Sequence, residues 1–88
     1  MEKWQAQELS PLLISAYRDH ADDDSILIGT VADRWLDLDG EERRSHAVLI
    51  QQRVAERGVE EVMLYDRKRV LHAHYAGGVW RRTRGWKP

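Results

Sequence analysis

Cysteine is absent from the 88 residues, which removes disulfide frameworks, Cys-ligated zinc and thiol nucleophiles together. Whatever holds the fold is packing. Phenylalanine and asparagine are also missing and proline occurs only twice. With arginine outnumbering lysine 11 to 3, this usage suggests a GC-rich bacterial genome and carries no functional weight. No apolar run approaches the roughly 18 residues of a membrane-spanning helix. The opening MEKWQAQELS has acidic residues where a secretory leader would have a basic and then an apolar stretch. The expectation is a cytoplasmic chain with no membrane partner.

Motifs that hold phosphate or activate a nucleophile are missing too. Gly77 and Gly78 lack the further glycines and the lysine of a phosphate loop, and they precede a strand-like run rather than a helix. The serines, at positions 10, 15, 25 and 45, lie in no nucleophile elbow. No catalytic set emerges and no cofactor is expected. What is present is 42 % hydrophobic and 33 % charged residues in 10.3 kDa, enough for one modest core under a charged surface. No linker, repeat or low-complexity tract divides the chain, so residues 1–88 read as one α+β domain.

The clearest element is a helix over residues 40–57. Asp39 and Glu42 have the spacing of a capping box, Gly58 supplies the stop, and Arg43, Ala47, Ile50 and Val54 form the core-facing stripe. Leu49 points away from that stripe, available to a partner. Beyond Gly58 the period changes to two. Val62 and Leu64 alternate with Met63 and Tyr65, and Leu71, Ala73 and Tyr75 alternate with His72 and His74. With Arg67 and Lys68 as the loop, this hairpin pairs Leu64 with Leu71, Val62 with Ala73, Met63 with His72 and Glu61 with His74. Gly77 and Gly78 then turn the chain into a third strand that brings Trp80 to Tyr75, and residues 84–88 read as a frayed tail.

The first third is less sharply patterned. Ser10 and Pro11 suit a helix start, and Leu13, Ile14, Tyr17 and Ala21 recur at helical spacing, which predicts a helix over about 11–20 ended by Asp22, Asp23 and Asp24. Residues 26–31 are β-branched and favour a strand, although Leu27, Val31, Trp35 and Leu38 also fit a helical stripe. The expected architecture is helix, strand, helix, then a C-terminal three-stranded antiparallel meander, with the first strand joined to a parallel neighbour by a right-handed crossover.

Three acidic or histidine groups merit weighing as sites. His72 and His74 project from one strand face with Glu61 across the ladder, a set able to bind a divalent metal or move a proton. Histidine beside glutamate on a strand is more often a surface hydrogen-bonding residue. Asp37, Asp39 and Gly40 match half of a calcium loop, but Trp35 and His46 stand where its first and last carboxylates belong. A charged helix start accounts for these acids better. Asp22, Asp23 and Asp24 read as a solvated loop rather than a Mg²⁺ site. Among the tryptophans, Trp35 and Trp80 sit in apolar patterns and read as core, whereas Trp4 and Trp86 lie in polar surroundings near the termini.

Charge is the most informative feature. The net charge of −1 hides a split at Asp66. Residues 67–88 contain Arg67, Lys68, Arg69, Arg81, Arg82, Arg84 and Lys87 with no acid, +7, and residues 1–66 carry −8. The basic segment, interleaved with Trp80 and Trp86, leads to the expectation of a non-enzymatic interaction module that binds a protein partner or itself through this C-terminal region. Single-stranded nucleic acid is the competing ligand for the same residues, and metal or proton-transfer chemistry at His72, His74 and Glu61 is a third reading.

Overall fold

A computed structural model of the chain describes residues 2–19, 25–84 and 86. In chain order the elements are β1 (Glu2–Trp4), the single turn α1 (Ala6–Leu9), β2 (Leu13–Asp19), β3 (Ile26–Val31), a 3₁₀ turn (Asp33–Asp37), α2 (Gly40–Ala55), β4 (Glu61–Tyr65), β5 (Leu71–Ala76) and β6 (Val79–Arg81). The six strands form one mixed sheet in sequence order. Neighbours are antiparallel except β3 and β4, which run parallel. A parallel neighbour cannot be reached by a tight turn, so the 3₁₀ turn and α2 form the crossover.

The start of α2 follows from its sequence. The Asp39 side chain accepts from the Glu42 N–H at 2.8 Å, and the Glu42 side chain accepts from the Asp39 N–H at 3.2 Å, which satisfies two otherwise orphaned donors. Gly58, at φ +84°, ends the helical run in a conformation that L side chains adopt at a cost. Ala47, Ile50 and Val54 are fully buried, while Leu49 stays 40 % exposed on the outer side.

Strand alternation gives the sheet two unlike faces. Leu27, Val31, Val62, Leu64 and Ala73 join Trp35 and the buried stripe of α2 in one core, each with no exposed surface. Burying a Leu or Val completely contributes about 1.5–3 kcal/mol. Gly29 shares this face: a Cβ there would lie 3.0 Å from Leu64 Cδ2 and 3.2 Å from Leu13 Cδ2. Its missing side chain lets the two leucines close over the strand. Leu9 of α1, Trp35 of the 3₁₀ turn and the α2 stripe all belong to this core. All three helical segments therefore pack on one side, and the other side of the sheet is uncovered among the described residues.

The expected architecture is overturned in two places. Among the described residues of the stretch expected as a helix over 11–20 there is none: Leu13–Asp19 is β2, paired antiparallel to both β1 and β3. A bulge explains the mistaken period. Leu13 pairs with Val31 but Ser15 pairs with Thr30, so Ile14 is an extra residue, 51 % exposed. The bulge puts buried Leu13 and Ala16 three residues apart, a helix-like spacing on a strand. Nor is the C-terminal meander a unit of its own, because β4 to β6 are half of the six-stranded sheet.

The β4–β5 register also differs from the expected one. Leu64 pairs with Ala73, Val62 with Tyr75 and Met63 with His74. Half of the shift comes from a bulge, because Tyr65 pairs with Leu71 but Leu64 with Ala73, which makes His72 an extra residue, and the other half from the turn. Asp66 Oδ1 accepts from the N–H groups of Lys68 at 2.8 Å and Val70 at 3.0 Å, so the loop is longer than Arg67 and Lys68 and ladder pairing resumes only at Leu71. Residues 20–24, including the three aspartates, lie outside the described residues, as do Gly85, Lys87 and Pro88 of the expected tail. Trp86, within that tail, is buried. Thr83 N–H donates to its carbonyl at 2.9 Å.

Candidate functional site

On the uncovered face, one row of side chains crosses all six strands. Lys3 pairs with Tyr17, Tyr17 with Ile28, Ile28 with Met63, Met63 with His74 and His74 with Arg81. Its centre is apolar and each end is cationic. A neighbouring row places Ser15, Thr30 and Tyr65 side by side, and the row beyond the first holds Asp19, Ile26 and Glu61. Ile26, Ile28, Met63, Tyr17 and Tyr65 are all half-buried. Parallel strands are ordinarily covered on both faces, and here the parallel pair β3–β4 is covered on one.

The β4–β5 turn rises at the end of the Ser15–Thr30–Tyr65 row. Asp66, 9 % exposed, anchors it. Besides the two N–H groups on Oδ1, its Oδ2 lies 2.9 Å from His72 Nε2. The carboxyl is held below the ordinary value of 3.8 by the His72 hydrogen bond first, then by the Val70 and Lys68 N–H groups, with partial desolvation working the other way. The Asp66 N–H donates to the Val70 carbonyl and the Arg69 N–H to the Asp66 carbonyl. Arg69 then takes φ +69°, the one non-glycine positive φ among the described residues.

The expected metal set does not converge. It divides into two pairs, His72 with Asp66 and His74 Nε2 with Glu61 Oε2 at 3.0 Å. Glu61 reaches His74 diagonally across the ladder rather than from the directly opposed position. Among the described residues, no three His, Asp or Glu side chains are grouped to hold a metal ion. Nδ1 of His72 is buried with no hydrogen-bond partner there, so the ring is held by its Nε2 bond and by packing.

The tryptophans of the basic region pack inward. Trp80 meets Tyr75 at 5.0 Å and Trp86 at 5.5 Å between ring centroids, both edge-to-face, and Trp86 is 7 % exposed. Trp4 is buried as well, with the Arg18 and Arg57 guanidinium carbons 5.2 and 5.1 Å from its ring centroid. The aromatic rings the open face does offer are Tyr17 and Tyr65, which the sequence reading missed. Tyr17 was hidden by the bulge, whereas the alternation of Met63 and Tyr65 was a usable signal.

The basic segment is only partly neutralised from within. Arg67 lies 3.3 Å from Asp33, both side chains largely exposed, a geometry worth little in water. Among the described residues, no carboxylate pairs with Lys68, Arg69, Arg82 or Arg84. Arg81 stands on the open face opposite His74, and Lys87 lies outside the described residues. No helix is long and apolar enough to cross a membrane among the described residues. No protein-family model, curated protein or solved structure matches the chain.

Proposed function

We propose that this chain is a non-enzymatic interaction module that docks an acidic protein partner on the uncovered face of its sheet. One observation carries the reading: the row Lys3–Tyr17–Ile28–Met63–His74–Arg81 presents an apolar centre between two cationic ends. Such a strip suits an apolar residue flanked by carboxylates. Lys68, Arg69, Arg82 and Arg84, which pair with no carboxylate among the described residues, add a positive field that steers an acidic partner and weakens with salt. This keeps the interaction class that the charge split suggested and moves its centre from the basic C-terminal region to the middle of the sheet.

The test is light scattering of the purified chain, with affinity capture from extract at low and at high salt. The reading expects a monomer that retains a stoichiometric acidic protein at low salt and releases it at high salt. A salt-insensitive homodimer, or a monomer that retains no protein, contradicts it. Single-stranded nucleic acid is a second reading, favoured by Tyr17 and Tyr65 beside Arg67 and Arg69. A steep fall of oligonucleotide affinity with salt, together with its loss in Tyr17→Ala, supports that reading instead.

A further inference from the structure

Where the β4–β5 turn meets the open face there is a depression of about 300 Å³, lined by Ser15, Tyr17, Thr30, Tyr65, Arg67 and Arg69 together with Ile28 and Asp66. Four hydroxyls and two guanidiniums are donors of the kind an oxyanion needs. The fold makes no use of most of them. Among the described residues, none of the four hydroxyls makes a hydrogen bond, and Arg69 has no ion-pair partner.

The backbone of Arg69 gives a second, independent observation. At φ +69° it occupies a position where glycine or asparagine sits with less strain. The turn does not need an arginine there. Asp66 already fixes the loop by accepting from Lys68 and Val70, and the 66–69 backbone hydrogen bond closes it. A strained residue whose side chain has no partner among the described residues, at the rim of a donor-lined depression, points to a ligand.

We propose that this depression binds a phosphate monoester, with the Arg67 and Arg69 guanidiniums on one side of the phosphate and the four hydroxyls on the other. A tetrahedral oxyanion presents oxygens in several directions, which matches donors on two sides better than a planar carboxylate does. One acid, Asp66, lines the depression and a second, Asp33, stands beside it. Asp66 has both oxygens occupied, by two N–H groups and by His72. Asp33 holds Arg67 at 3.3 Å through an exposed contact that a phosphate readily displaces. The site shares the open face with the proposed docking strip but does not depend on it, and the two tests fail separately.

The experiment is a titration of the isotope-labelled chain with inorganic phosphate at constant ionic strength, with chloride as the reference. Amide resonances of Thr30, Lys68, Arg69 and Val70 report the site. Saturable shifts in the millimolar range are expected. Arg69→Gly should weaken them about tenfold, the loss of roughly one charge-assisted hydrogen bond, while its melting temperature rises. Arg44→Ala, a charge removed from the helix surface, should bind like the wild type. Phenyl phosphate and a phosphoserine peptide then separate the two sources of the ester: tighter binding of the peptide assigns a modified protein, and equal or tighter binding of the small ester assigns a free metabolite. Shifts that match chloride, or an Arg69→Gly variant that binds phosphate as the wild type does, overturn the proposal. So does a single-stranded oligonucleotide that binds at the same resonances more tightly than either monoester.

Discussion

The two faces of one sheet are built from the same strands and behave as different materials. On the helix side the central strands are sealed: Leu27, Val31, Val62 and Leu64 have no exposed surface, and Gly29 lacks a side chain because two leucines fill its place. One residue away along β3, Ile26, Ile28 and Thr30 stay half-buried beneath no helix. Stability is concentrated on the first face. The second carries apolar residues, hydroxyls without a hydrogen bond among the described residues, and arginines of which only Arg67 has an ion pair there.

Matched truncations on adjacent residues of β3 would break this contrast most sharply. Leu27→Ala should cost about 2–5 kcal/mol, as large-to-small changes in a closed core do. Ile28→Ala should cost about 1 kcal/mol or less, because its site is already wet and leaves no sealed cavity. Urea denaturation of both variants checks this. Similar losses at the two positions would mean that the open face is held as tightly as the core.

The anchor of the turn sharpens the contrast through pH. Asp66 has its carboxyl pKa lowered, so its share of stability is complete above the unfolded value near 3.8 and is lost as pH falls through the lower folded value. Wild-type stability should therefore decline across the acid range more steeply than that of Asp66→Asn, which has no such proton to bind. Urea midpoints measured over a series of acid pH values read this directly, and parallel curves would remove Asp66 from the account. The smallest effect belongs to Arg67→Ala. Losing an exposed pair with Asp33 should change stability by no more than about 0.5 kcal/mol, which leaves any larger effect on binding attributable to the site rather than to the fold.

Legibility in the sequence followed locality. The α2 cap, its buried stripe and the Gly58 stop depend on residues within a few positions of one another, and they were readable as such. So was β3, from its β-branched run. The β2 strand was not, because the bulge at Ile14 turns a period of two into a spacing of three, and no local residue announces a bulge. The hairpin register differed for the same kind of reason: His72 is a second bulged residue, and Asp66 captures two N–H groups and delays pairing, neither of which a simple two-residue loop reveals. The basic turn was visible as composition. Its place above the Ser15–Thr30–Tyr65 row was not, since that depends on β2, read as a helix, lying beside β3. Trp86 shows the converse, a residue whose polar neighbours suggested exposure and whose ring the fold buries against Trp80.

If the two faces carry separate tasks, a pair of charge insertions should separate them. Ile28→Glu and Leu49→Glu each place a carboxylate at an apolar surface position, one on the open face and one on the outer side of α2. Thermal unfolding and partner capture are read in parallel on both. The account predicts that both variants stay folded, that Leu49→Glu retains the acidic partner and that Ile28→Glu loses it. Capture unchanged in Ile28→Glu, or lost only in Leu49→Glu, would contradict it.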